Sequence, residues 1–310
     1  MSKSDYITFL NTNREQLCKQ FKETPQDLTN KEYEVAKSFA NCYKNNFHNI
    51  LASNESRIKL KLGVTDYINA NYILDKYIAT QQPNVYCHCD FWNMIYQEHI
   101  SAIVNLSGNN DYLNTIDHIY NSFKIELGDI TYKEHVQIRN ITMIDKESGK
   151  IKQLYHITMP QWPDFGVPNE DDFLKNLNAI NLIEHNTKDK KMVVHCRAGV
   201  GRTGTFIMIH YLCQQFKKNN YPHVIEILKA MRANRIGMVQ DKSQFLFILD
   251  VILKKLNEQD NSNCFLKIPI HKKSLSSSND ETLRTTNEKR EKLSLSCEEY
   301  ITIYPVNEHV

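Results

Sequence analysis

Val194-His195-Cys196-Arg197-Ala198-Gly199-Val200-Gly201-Arg202-Thr203-Gly204 is the stretch on which the reading of this chain turns. It overlaps Met192-Val193-Val194, a short β-rich apolar run with the character of a buried strand. It leads into Thr203 to Lys217, where Phe206, Ile209, Cys213 and Phe216 recur at spacings of three and four and predict a helix. The chain has only nine glycines, and three of them, Gly199, Gly201 and Gly204, fall within this stretch. Glycines gathered where a strand meets a helix call for unusual backbone angles or close ligand approach. Strand, loop and helix in that order predict an α/β protein. Further helices are expected over Ile225 to Arg232 and Lys242 to Leu256.

Five residues separate Cys196 from Arg202. A loop of that length can curl so that successive backbone N–H groups point at one anion, and the helix that follows adds its positive end. Arg202 can close a planar, two-pronged clamp on two phosphate oxygens. The field that binds phosphate also favours the thiolate form of a sulfur at the floor of the bowl. Thr203 follows at once, and its hydroxyl is placed to hydrogen-bond that sulfur.

The segment resembles the signature loop of the protein tyrosine phosphatase superfamily, His-Cys-x5-Arg-Ser/Thr. The resemblance implies Cys196 as nucleophile, Arg202 as clamp and Thr203 as helper. It implies a phosphate cradle made by Arg197, Ala198, Gly199, Val200 and Gly201. In the tyrosine-specific branch the residue after the cysteine is usually Ser, and here it is Arg197. Upstream, Gln161-Trp162-Pro163-Asp164-Phe165-Gly166-Val167-Pro168 sets two prolines and a glycine around Trp and Asp, which describes a stiff loop able to move as a flap. It resembles the family's Trp-Pro-Asp loop, so Asp164 is expected to protonate the departing tyrosine oxygen. Asp164 should then act as base on the hydrolytic water.

Met238-Val239-Gln240-Asp241-Lys242-Ser243-Gln244-Phe245 resembles the family's glutamine loop. Gln244 matches the residue that orients the water, and Gln240 matches the first glutamine. Asp241 stands in place of Thr, where a negative charge near phosphate is expected to be mildly unfavourable. Lys44-Asn45-Asn46-Phe47-His48-Asn49-Ile50 aligns with the segment whose tyrosine stacks on the substrate ring. Phe47 keeps the ring, Asn46 replaces Arg, and Asn49 stands where many members carry an acid that holds the peptide backbone. Asp66 to Ile73, Tyr77 to Pro83 (with Gln82 for the usual Gly) and Asp90 to Ile95 also match, as fold elements. No match to the Lys-Cys-x-x-Tyr-Trp-Pro loop is found between Leu106 and Ile119, a region that normally supports the acid loop and the clamp arginine.

The resemblance runs from Phe21 to Leu256. It implies an α/β fold, one phosphatase domain over 20–258, with a twisted mixed sheet flanked by helices. Residues 261–310 are polar and poor in aromatics and are expected to form a disordered tail. The Asn-, Lys- and Ile-rich texture further resembles the tyrosine phosphatases of polydnaviruses (bracoviruses). That implies the cytoplasm of an infected cell and host phosphotyrosine signalling proteins as partners.

Composition fits this reading. Lys+Arg is 38 and Asp+Glu 36, a net charge of +2 that gives no global reason to expect nucleic acid or a membrane surface. No run approaches the roughly 18 apolar residues of a membrane span. Neither terminus has the look of a signal peptide or a prenylation box. These features predict a soluble, cytoplasmic protein. Eight dispersed cysteines do not suggest a disulfide framework. Cys87, His88 and Cys89 lack a second pair of ligands, so they read as a helix start and not a zinc site. No cofactor is implied. Two alternatives stay open at this point: a phosphotyrosine-binding pseudophosphatase, and a phosphoinositide or RNA 5′-phosphatase, the latter motivated by Arg197.

Overall fold

Eight strands pair into one mixed sheet, and their order explains where the cradle sits. They are β1 (Arg57–Lys59), β2 (Tyr67–Ile73), β3 (Tyr77–Gln81), β4 (Ala102–Asn105), β5 (Phe123–Lys133), β6 (Val136–Asp145), β7 (Ile151–Thr158) and β8 (Met192–Cys196). The spatial order is β1-β2-β3-β8-β4-β7-β6-β5. The four central strands β3, β8, β4 and β7 run parallel, and the outer ones pair antiparallel. The computed structural model describes residues 1–27, 32–114, 122–159, 162–163, 166–185 and 191–258.

The central strands β3, β4 and β8 are buried on both faces, as strands covered on both sides must be. Ile78, Ile103 and Val193 pack beneath Phe91, Trp92, Met94 and Ile95 of α4 (His88–Gln97). The alternate residues Ala79, Val104 and Val194 point the other way and are equally buried. The long helix α7 (Gly201–Phe216) contacts β8 and β3 and packs against α9 (Lys242–Asn257). Both were expected from sequence within a few residues of these bounds, as was α8 (Val224–Asn234). One expectation is corrected. The sequence pattern gave α7 a single apolar face, but Thr203, Thr205, Ile207, Met208 and His210 are as buried as Phe206 and Ile209. Helix α7 is a central helix, and two of its buried polar side chains are partnered inside: Thr205 bonds its own helix at Gly201, and His210 bonds Tyr77.

Around this centre lie α1 (Lys3–Thr12), α2 (Arg14–Glu23), α3 (Glu34–Lys37), α5 (Asp111–Asn114) and α6 (Glu170–His185). Helices α1 and α2 pack on α9, so ordered structure also precedes residue 20. Tyr6 is buried and its hydroxyl donates to the carbonyl of Pro222. The expected tail, 261–310, lies outside the described residues, as do Gln161, Asp164 and Phe165. Among the described residues no helix is long and apolar enough to cross a membrane.

Candidate active site

Cys196 ends β8, in register with Gln81 of β3, and His195 lies beside Asn105 of β4. The site therefore opens at the carboxyl ends of the parallel strands, where α/β sheets bind ligands.

The loop from Cys196 to Gly201 is held from outside by its carbonyl groups. The Arg197 carbonyl accepts from Gln82 N, and the Val200 carbonyl accepts from Gly204 N and Val239 N. The Ala198 and Gly199 carbonyls both accept from the guanidinium of Arg235, at 3.2 and 2.9 Å. In a planar trans peptide the next N–H points opposite to each carbonyl. The N–H groups of Ala198, Gly199, Val200 and Gly201 therefore turn away from these partners, toward the loop's interior. Gly199 N–H donates to the Cys196 sulfur at 3.3 Å, and the sulfur's residue is only 4% exposed.

Two glycines are dictated by this geometry. Gly199 has φ +72°, and a Cβ there would lie 2.1 Å from the Thr80 carbonyl oxygen. At Gly204 a Cβ would lie 2.5 Å from Val239 N, so α7 could not approach the Met238–Val239 segment.

Arg202 sits in the first turn of α7. Its Nη1 donates to the carbonyls of Leu106 at 3.2 Å and Trp162 at 3.3 Å. The support for this arginine, expected from the unmatched loop, thus comes in part from the backbone that ends β4 and from the Trp-Pro-Asp segment. Asp164 itself is outside the described residues.

Gln240 and Gln244 lie against Gly201, where an added Cβ would meet their side-chain atoms at 3.2 and 2.8 Å. Gln244 Oε1 accepts from Gln240 N at 2.9 Å. Asp241 is the N-cap of α9, and its carboxylate accepts from Gln244 N at 2.9 Å and from the Ser243 hydroxyl. This carboxylate therefore also has a structural role, as the cap of α9. One expectation at the site is corrected: the Thr203 hydroxyl is buried without a partner among the described residues and does not bond the sulfur.

Phe47 belongs to a loop tied to the end of β3. Gln81 donates to the Lys44 carbonyl at 2.6 Å and accepts from Asn46 N at 2.9 Å. Lys44 is buried and paired with Asp90 at 2.7 Å, which roots the loop in the sheet. Phe47 is half-buried, Asn49 is exposed, and the Arg197 guanidinium lies 5.7 Å from the Phe47 ring centre. Cys87 is the N-cap residue of α4, as its place before Asp90 suggested.

Two groups escaped the sequence reading. Arg235 is 1% exposed, and burial lowers its pKa to about 10. Besides the cradle carbonyls it reaches Asn71 Oδ1 at 2.6 Å and Asn69 Oδ1 at 2.8 Å. Tyr112 places its hydroxyl between His195 Nε2 (2.8 Å) and His156 Nε2 (2.6 Å), directly behind the cysteine. The only signal for it was a tyrosine in the segment where the supporting loop was sought.

Comparison with known proteins agrees with this geometry. The family model described as protein-tyrosine phosphatase matches residues 41–254. The chain is 30% identical over 254 residues to tyrosine-protein phosphatase Lar-like of Caenorhabditis elegans, covering 76% of this chain and 11% of that one. It is 32% identical over 238 residues to human receptor-type tyrosine-protein phosphatase eta, covering 71% and 18%. It is 32% identical over 251 residues to mouse tyrosine-protein phosphatase non-receptor type 7, covering 75% and 69%. The chain thus spans well under a quarter of the first two relatives and about two thirds of the third. With a cysteine-centred loop of inward amides, an arginine in the first turn of the helix that follows and a family match over residues 41–254, this chain belongs to the protein-tyrosine phosphatase family.

Proposed function

We propose that this chain hydrolyses phosphotyrosine in proteins through a cysteinyl-phosphate intermediate. One observation carries the reading. Four successive carbonyls, from Arg197 to Val200, are bonded outward, which turns four amides toward the loop's interior, where one of them meets the Cys196 sulfur.

In this reading the Cys196 thiolate attacks phosphorus, an S–P bond forms and the P–O bond to tyrosine breaks. Asp164 gives its proton to the departing phenolate oxygen. Water oriented by Gln244, with Gln240 beside it, then attacks phosphorus while Asp164 takes the water's proton. The S–P bond breaks, and thiolate and phosphate are restored. Arg202 and the amides of Ala198 to Gly201 hold the phosphate oxygens as charge shifts onto them. Phe47 stacks on the substrate ring, and Asn49 hydrogen-bonds the peptide backbone. The catalytic domain spans 20–258, with the polar segment 261–310 beyond it. The substrates we infer are cytoplasmic phosphotyrosine proteins, of an infected host under the viral resemblance.

The test is phosphate release from a phosphotyrosyl peptide by the purified chain. Cys196→Ser is expected to abolish release, and Asp164→Ala to lower it by roughly 10²–10⁴-fold. Tight peptide binding with no release by the unmutated chain would overturn the enzymatic reading.

A further inference from the structure

Two of the positions where this chain departs from its family's usual residues touch each other. Arg197, which follows Cys196 directly, is exposed, and its guanidinium carbon lies 5.7 Å from the centre of the Phe47 ring. Its backbone has no freedom, since its carbonyl is bonded to Gln82 N at 3.1 Å. The side chain therefore leaves the cradle at the rim, beside the ring expected to stack on substrate. A guanidinium resting on an aromatic face is pre-oriented and weakly hydrated, ready to take a carboxylate in two-pronged fashion.

Among the described residues no carboxylate is paired with Arg197. The loop that carries Phe47 has Asn49 where an acid could have stood, and exposed His48 beside it. Asp241 is committed to the cap of α9. Among the described residues, the mouth of the site thus presents a cation beside an aromatic wall, with no carboxylate paired to it.

We propose that Arg197 is a specificity-determining residue that selects phosphotyrosine peptides carrying a carboxylate next to the phosphotyrosine. The proposal rests on the reading of the site as a tyrosine phosphatase and names the substrate class within it. A peptide is favoured over a multiply phosphorylated lipid headgroup on two grounds. Val200 across the cradle is apolar and buried, so that position adds no second cation for a further phosphate. The surface beside it is a ring suited to an aryl phosphate.

The test compares kcat/KM of the full chain on matched phosphotyrosyl peptides with Glu, Gln or Lys beside the phosphotyrosine. Phenyl phosphate, which has no flanking residue, normalises each variant. The unmutated chain should prefer the Glu peptide over the Gln peptide by about two- to fivefold, the range an exposed ion pair supports. Added salt should shrink that preference. Arg197→Lys should keep most of it, Arg197→Ser should lose it, and Arg197→Glu should turn it toward the Lys peptide. Equal kcat/KM for the Glu and Gln peptides, or a preference unmoved in Arg197→Ser and Arg197→Glu, would overturn the proposal. So would faster phosphate release from a soluble inositol phosphate than from the Glu peptide. Binding of the same peptides to the Cys196→Ser protein reads the preference without turnover. Failure to hydrolyse any aryl phosphate would thus count against the proposed function alone, and loss of selectivity in binding against this inference alone.

Discussion

The side-chain oxygen of Gln82 accepts a hydrogen bond from the hydroxyl of Ser107 at 2.8 Å, while its amide donates to the Asn109 carbonyl at 3.2 Å. Gln82 takes the place of the family's usual glycine, and Ser107 opens the segment where the usual supporting loop has no counterpart. The two departures are joined. Asn46, a third, donates to the Gln82 carbonyl at 2.7 Å. Gln82→Gly should therefore cost about 1–3 kcal/mol, from two lost side-chain hydrogen bonds and a more flexible unfolded chain. In a double-mutant cycle by urea unfolding, Gln82→Ala and Ser107→Ala should couple by about 0.5–1.5 kcal/mol. Strict additivity would show that the bond contributes nothing.

Arg235 is the fastening of the cradle. Its guanidinium serves Gly199, Ala198, Asn71 and Asn69 at once from a fully enclosed position. Arg235→Met leaves those acceptors buried and unpaired, and should cost about 3 kcal/mol or more. For a domain of this size that is a fall in Tm on the order of 10 °C. Lys keeps the charge but lacks the planar fork, so Arg235→Lys should recover little. With the outward carbonyls released, kcat toward a phosphotyrosyl peptide should fall at least tenfold in the variants that remain folded. Unchanged kcat would mean that the loop holds its shape without this residue.

What the sequence disclosed and what it hid divide along a physical line. Cys196, Arg202, Gly199 and Gly201 were legible because their chemistry and spacing are local, β8 because its short run is apolar and β-branched, and α7 because its apolar residues recur at spacings of three and four. Arg235 was not, since its partners lie 36 to 166 residues away and nothing around Arg232-Ala233-Asn234-Arg235 marks a guanidinium as buried. The burial of α7 on all sides was hidden by Thr203, Thr205 and His210, polar residues that read as a solvent face until their partners are known. Asp241 could have been read better. An Asp followed three residues later by Gln, just before an apolar run, is a helix-capping signal, and the resemblance drew attention to its charge instead.

Gly199 and Gly204 make a sharper test of the loop geometry than the charged residues do. Gly199→Ala combines a positive φ with a Cβ 2.1 Å from the Thr80 carbonyl oxygen, a backbone atom in the middle of β3 that cannot yield. Gly204→Ala would push α7 off the Met238–Val239 segment, where the nearest atom is 2.5 Å away. Each should destabilise by about 2–4 kcal/mol, from strain and overpacking together. Gly199→Ala should also abolish phosphate binding, read as loss of protection by vanadate or phosphate in thermal melts. Gly149→Ala is the control. Its φ is +66°, but nothing lies within 4 Å, so it should show only the smaller backbone penalty and full binding.

The Tyr112 hydroxyl shared by His156 and His195 predicts how the fold responds to acid. A hydroxyl has one proton to donate, so it can donate to one ring nitrogen and must accept from the other. This fixes complementary neutral tautomers. Burial holds both imidazoles neutral and pushes their pKa values down to about 3. The unfolded chain takes up these protons near the ordinary histidine value of about 6.5. Between about pH 6.5 and 3 the unfolded state therefore binds more protons, and stability falls as pH falls. Above pH 6.5 the contribution is fully present. Each histidine adds up to about 1.4 kcal/mol per pH unit within that window. His156→Gln keeps a polar partner for Tyr112 but cannot titrate, so it should lower the pH slope of stability by up to that amount. It should also cost about 1–2 kcal/mol at neutral pH from the poorer hydrogen bond. Urea midpoints from pH 7.5 to 4.5 measure both quantities. A slope identical to that of the unmutated chain would show that His156 takes up its proton without unfolding, and that the space behind Cys196 admits a charge.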